Sequence, residues 1–146
     1  MMRRAGDDDL DAINRVVVSA FTMYVDRIGR APAPMTADYA EPIRASRVWV
    51  LEAGAEVLGV LVTEPAADHL WIEAIAVAPT AQGGGHGHAL LARAEQDARE
   101  LGLPELRLCT NEAMTENLEF YPRRGFHETG RGIQDGFRRV FFAKAL

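Results

Sequence analysis

Cysteine is nearly absent: Cys109 is the only one among 146 residues, so no internal disulfide can form, and a reducing compartment such as the cytoplasm is expected. A surplus of positive charge is missing too. The 16 Lys and Arg against 21 Asp and Glu give a formal net charge of −5 with no basic cluster, which argues against nucleic acid as the main partner. No apolar run is long enough to span a membrane. The N-terminus lacks the apolar segment of a secretory signal, because Asp7-Asp8-Asp9 follow at once. No repeat, low-complexity tract or long linker divides the chain. With 48% hydrophobic and 25% charged residues the composition is that of a globular protein, and residues 1–146 are read as a single domain around one core.

The stretch that organises the rest is 69–91, HLWIEAIAVAPTAQGGGHGHALL. Its first half is an apolar run interrupted by one carboxylate, Glu73, and closed by Pro79, the pattern of a largely buried strand. Then come Gln82-Gly83-Gly84-Gly85-His86-Gly87 and an amphipathic helix beginning near His88. Strand, glycine turn and helix start together make an anion site. Glycine lets backbone approach closely, and the first helical turn leaves N–H groups unpartnered. Two phosphate loops are excluded by the letters: G-x-x-x-x-G-K-[ST] needs a Lys where His88 stands, and G-x-G-x-x-G fails from either Gly83 or Gly85. A glycine-rich connection without a ligand is the plain alternative, and Gly102 with Pro104 makes one later in the chain.

The remaining chain supplies the frame. Residues 2–5 read as a short strand. Asp7 or Asp8 caps a helix whose Leu10, Ile13, Val17, Ala20, Phe21 and Tyr24 share one face. An irregular, proline-bearing stretch at 27–35 precedes a second short helix from Thr36 or Asp38 to about Ser46. Residues 47–52 and 56–63 form a hairpin, with 69–78 next in an antiparallel meander. The helix from His88 to Leu101 turns Leu90, Leu91, Ala94, Ala98 and Leu101 inward and leaves Arg93, Gln96, Asp97 and Glu100 in water. Residues 105–110 are a strand parallel to 69–78, residues 111–123 a short helix, and 125–131 with 136–144 a closing hairpin.

The helix at 111–123 carries Asn117-Leu118-Glu119-Phe120-Tyr121-Pro122-Arg123-Arg124-Gly125-Phe126, in which Asn117 and Tyr121, at i and i+4, fall on one face. Taken alone, Tyr121 could be a packing aromatic and Asn117 a surface amide. Taken with Q-x-x-G-x-G after a strand, the pattern N-x-x-x-Y-x-x-x-G-F resembles the GCN5-related N-acetyltransferase (GNAT) superfamily over nearly the whole chain. The string Gly29-Arg30-Ala31-Pro32-Ala33-Pro34-Met35 is similar to a feature of one small bacterial subgroup.

The resemblance implies an α+β, α/β/α-layered fold, a mixed sheet of six to seven strands flanked by about four helices. It implies acetyl-CoA as co-substrate, held by Ile75, Ala76, Val77, Gln82, Gly83, Gly84, Gly85, His86, Gly87 and Asn117. The acceptor would be a small-molecule or peptide amine, reached by direct attack in a ternary complex, with the loop–helix around Met35 and Tyr39, together with Trp71, on its side. An alkylammonium with a pKa of about 10.4 needs a base. Glu73 is the candidate, with ordering of water or substrate as its other reading; some members carry their acid where this chain has Trp71. In a regular strand Glu73 shares a face with Trp71, Ile75 and Val77. The resemblance assigns the amide near Val77 to the carbonyl oxygen and Tyr121 to protonating the thiolate. Cys109 as an acyl carrier and a zinc site at His86 and His88 are both disfavoured, the latter because no third ligand is near, so no metal is expected. A non-catalytic acyl-CoA sensor is the runner-up function, and the acidic charge disfavours an acceptor on charged tRNA while leaning towards a cationic small molecule. The last strands offer a surface for a homodimer.

Overall fold

β-branched and leucine-rich segments separated by short turns build most of the sheet. The computed structural model describes residues 1–146. Its strands are β1 (Met2–Arg4), β2 (Val48–Ala53), β3 (Glu56–Pro65), β4 (Leu70–Val77), β5 (Glu105–Asn111), β6 (His127–Gln134) and β7 (Phe137–Ala145). They form one sheet in the order β1-β2-β3-β4-β5-β7-β6. All neighbours are antiparallel except β4 and β5, the pair joined through a helix. The helices are α1 (Leu10–Phe21), α2 (Val25–Ile28), α3 (Ala40–Arg44), α4 (His86–Glu100) and α5 (Thr115–Phe120). None is long and apolar enough to cross a membrane.

Each face of the sheet buries its own apolar cluster. On one, Leu90, Leu91, Ala94 and Ala98 of α4 meet Leu61, Leu70, Ile72, Leu106, Leu108 and Phe142. On the other, Ile13, Val16, Val17 and Ala20 of α1 and Ile43 of α3 meet Val48, Val50, Val60, Val62, Ala74 and Ala76. Burying a side chain such as Leu61 or Ile13 completely contributes about 1.5–3 kcal/mol.

Local details depart from the sequence pattern at several points. Asp9, rather than Asp7 or Asp8, stands at the start of α1; its carboxylate accepts the Gly6 N–H at 2.8 Å and both Arg3 terminal nitrogens. Helix α4 begins at His86. Leu101 is 57% exposed because the helix has ended. Asp97, expected in water, is only 7% exposed, since Trp49 Nε1 reaches across from β2 to donate to it at 2.7 Å while Arg93 binds its other oxygen. The helix expected over 111–123 is confined to Thr115–Phe120, followed by a single 3-10 turn at Pro122–Arg124.

Two irregularities in β4 set up the site. Its parallel pairing with β5 covers only Leu70↔Leu106 and Trp71↔Arg107, because β5 runs instead along β7 from Glu105↔Ala145 to Asn111↔Arg139. Beyond Trp71 the two strands part. The second irregularity is a bulge: Val62 pairs with Ala74 and Thr63 with Ile72, leaving Glu73 as the extra residue. Leu70 and Ile72 pack on the α4 side, and so do Ile75 and Val77, whereas Ala74 and Ala76 belong to the α1 side. Glu73 therefore does not share a face with Ile75 and Val77 as a regular strand would have it. The bulge turns it, with Ala74, towards α1.

Candidate active site

Splitting the sheet frees backbone groups. In an antiparallel ladder alternate residues direct their N–H and C=O to the partner strand. Ala78 N donates to Leu58 O at 2.8 Å, so the continuing register Val60↔Ala76 and Val62↔Ala74 commits those residues to β3. Ile75 and Val77 consequently aim their backbone groups the other way, into the gap that β5 has left. The side chain of Gln82 reaches back to this edge, its Nε2 donating to the Val77 carbonyl at 3.2 Å.

The glycine turn continues the same edge. Backbone N–H groups of residues 83–88 donate to no acceptor in the chain; the first amide of α4 to be used is that of Ala89, to Gly85 O. Gly85 stands just before the helix at φ 81°, a left-handed conformation that strains any side chain and that lets consecutive amides converge. Gly87 has a different reason. A Cβ there would lie 3.2 Å from Cζ of Phe120, so its absence lets α5 press against the start of α4. A helix N-terminus with convergent free amides suits a pyrophosphate. Gly84 does not itself line the cavity between the strands, and a Cβ on it would meet the His86 ring at 3.2 Å.

A cavity of about 710 Å³ occupies the split. Ile75, Ala76, Val77, Gln82, Gly83, Gly85, His86, Gly87, Asn117 and Tyr121 all line it, as does Glu73. Asn117 donates from Nδ2 to Thr110 Oγ1 at 3.0 Å, which leaves its carbonyl oxygen free. Tyr121 is 5% exposed and packs edge-on against Phe120 and Phe126, with ring centroids 5.2 and 5.5 Å away. Its hydroxyl has no hydrogen-bond partner in the chain. Burial pushes the phenol above its ordinary value, and nearby Tyr24 and Cys109 act in the same sense, so it stays protonated at neutral pH.

Glu73 stands across the sheet from Tyr121. Arg47 Nη1 lies 3.5 Å from its Oε1, and Glu64 is its carboxylate neighbour. Burial first, and Glu64 second, push the Glu73 carboxyl up to about 7 against the opposing pull of Arg47. Three residues expected on the acceptor side do not line the cavity. Tyr39 is 4% exposed in the α1-side cluster, its hydroxyl donating to Pro34 O at 2.6 Å, so it props the Ala33–Met35 turn from behind. Met35 is in that turn, whose Pro32, Ala33 and Pro34 do reach the cavity. Trp71, the last residue of β4 to pair with β5, stacks edge-on with His69. Phe21, Met23, Tyr24, Phe137 and Arg139 also line the cavity, although the sequence marks none of them as a site residue. Their sequence signal is that of ordinary core and hairpin residues, and no local pattern says that β7 inserts beside β5.

A split mixed sheet with a glycine-bearing helix start at its mouth defines the GNAT acyltransferase fold. The chain belongs to the acetyltransferase (GNAT) family, whose model matches residues 15–126. Among solved structures it is similar to PaiA N-acetyltransferase of Thermoplasma acidophilum in complex with coenzyme A, at 17% identity and a TM-score of 0.81 over 100% of this chain and 98% of that one. The IAA acetyltransferase of Bacillus cereus gives 22% identity and a TM-score of 0.74 over 100% and 99%. The ribosomal-protein-S18-alanine N-acetyltransferase of Escherichia coli gives 19% and 0.74 over 99% and 92%. At these identities the likeness is one of fold. A search of curated protein sequences finds no match.

Proposed function

We propose that this chain is an acetyl-CoA-dependent N-acetyltransferase that lets a primary amine attack the thioester directly. The observation that carries the reading is the parting of β4 from β5 between a row of unused amides and two titratable side chains on opposite faces. Residues 83–88 would take the pyrophosphate, and the gap-facing groups of Ile75 and Val77, with the Asn117 carbonyl oxygen, the pantetheine amides. When bound, acetyl-CoA supplies an activated acyl group whose carbonyl oxygen gains negative charge as the amine adds.

The chain's own residues supply the rest. A backbone N–H already aimed into the gap, at Val77 or its neighbour Ile75, needs no reorganisation to stabilise that charge. Glu73, approached from the α1 face, removes the ammonium proton directly or through water; about 7 is a suitable pKa for a base working at neutral pH. Tyr121, approached from the α4 face, holds a proton on its phenol for the departing thiolate. Opposite faces for the two partners suit a ternary complex, since neither has to leave before the other enters. CoA release with an amine panel tests the reading. Tyr121→Phe should slow turnover while calorimetry still registers CoA binding; unchanged turnover would remove Tyr121 from the mechanism.

A further inference from the structure

The acceptor end of the cavity holds a cation with no counterion. Arg139 is half-buried on β7, and the register Asn111↔Arg139 sets it against the end of β5. Its Nη1 donates to Gln134 Oε1 at 3.0 Å and lies 3.7 Å from Cys109 Sγ, both neutral partners. It forms no ion pair, in a chain where Asp and Glu outnumber Lys and Arg by 21 to 16. A second guanidinium stands close by. Arg30 donates to the Asp135 carbonyl and stacks 3.6 Å from the centre of the Phe137 ring, which Arg139 approaches from 5.6 Å. Arg30 has no carboxylate partner either. The other carboxylate-bearing contact nearby is already satisfied, Glu116 being held by Arg27 at 2.6 Å. Withdrawing a guanidinium from water without a counterion is costly, and its planar fork matches a carboxylate.

Position says what the anion is attached to. Leu106, Leu108, Val140 and Phe142 face α4, so Cys109 and Arg139 face the other way, towards α1, as Glu73 does. Trp71↔Arg107 is the last β4–β5 pair, and Glu73 and Cys109 each lie two residues beyond it, across the gap from one another. The Arg139 head rests at Cys109. A carboxylate base and an uncompensated guanidinium thus flank the same end of the split, with Phe21, Pro32, Pro34 and Phe137 as apolar walls.

We propose that the acceptor is a free amino acid with an apolar side chain, its ammonium turned to Glu73 and its carboxylate held by Arg139, with Arg30 adding positive potential at the rim. This deepens the acetyltransferase reading and rests on it. It narrows the lean towards a cationic small molecule, drawn from net charge alone, to a zwitterionic one.

The test compares L-leucine and L-phenylalanine with their amides and with isopentylamine and phenethylamine, which lack the carboxylate, measuring CoA release by wild type and by Arg139→Gln. The expected kcat/KM for the acids exceeds that for the amides and amines by about 10- to 100-fold, the range of one charge-assisted contact. In Arg139→Gln that ratio should collapse to within a few-fold, with Arg139→Lys in between. Amides or amines acetylated by the wild type as readily as the acids would overturn the proposal, as would a ratio that Arg139→Gln leaves unchanged. Failure to acetylate any of these amino acids while acetyl-CoA binds in calorimetry would also overturn it. Absence of acetyl-CoA binding would instead strike the acetyltransferase reading itself. The wild-type comparison needs no variant to fold.

Discussion

Replacing Glu73 by Gln keeps the side chain's shape and removes its ability to accept a proton, and the pH profile then separates two mechanisms. If Glu73 takes the ammonium proton, the reactive enzyme–substrate pair is carboxylate plus ammonium. With the Glu73 carboxyl at about 7, roughly one-tenth is ionised at pH 6 and about nine-tenths at pH 8, so kcat/KM should rise about tenfold and then level off. The plateau should persist until the free amine loses its own proton, at about 10.4 for an alkylamine. In Glu73→Gln the only remaining route needs amine that is already neutral, about one part in 10³ at pH 7 for an alkylamine such as isopentylamine and more for an α-amino group, whose pKa is lower. Turnover at pH 7 should then fall by about 10²- to 10³-fold, and the profile should climb roughly tenfold per pH unit without a bend near 7. The bend also carries signs. Glu64 raises the Glu73 carboxyl and Arg47 lowers it, so Glu64→Gln should move the bend to lower pH and Arg47→Met to higher pH. A wild-type profile that climbs steadily through pH 7 with no bend, or a Glu73→Gln profile that keeps one, would refute the assignment.

Tyr121→Phe should lower kcat by about 10²-fold with little change in CoA affinity, provided product release is not slower than chemistry. Gly87→Ala gains about 0.5–1 kcal/mol of helix propensity but drives a methyl to 3.2 Å from Phe120, pushing α5 from the start of α4; the expected result is a higher KM for acetyl-CoA with little net change in the urea midpoint. Asp97→Ala removes the acceptor of Trp49 Nε1 and leaves Arg93 without its 2.5 Å partner, so urea unfolding should register a loss of about 2–4 kcal/mol, with catalysis by the folded fraction unaffected.

Much of the frame is legible in the chain because each element's pattern is local. The glycine turn at 82–87, the alternation of 105–110 and the paired Asn117 and Tyr121 are read within a few residues, and so is the α1 stripe. What escapes is set by contacts distant in sequence. Asp97 looks like a solvated helix residue until Trp49 arrives from β2. Glu73 looks like a strand residue in step with Ile75 until β3 imposes a bulge between Val62 and Thr63. Tyr39 looks like a wall of the acceptor site, yet its hydroxyl serves Pro34. Arg139 carries no local signal, because its lack of a counterion is visible only after β7 has inserted between β5 and β6. The glycine turn and the Ile75–Val77 edge of the cavity were thus legible in local pattern, and so was Glu73 as a carboxylate in the strand, whereas the α1-side lining around Arg139 was not.

Amide hydrogen exchange followed by NMR, with and without acetyl-CoA, tests the central claim most directly, because it reports on the very N–H groups invoked. The account predicts that the amides of residues 83–88, which have no partner in the chain, together with the gap-facing amides of Ile75 and Val77, shift and become protected when acetyl-CoA is added. Those of Ala74 and Ala76, already bonded to β3, should change little. If acetyl-CoA leaves residues 83–88 exchanging as freely as before, or protects a different part of the molecule, the split between β4 and β5 does not hold the acyl donor.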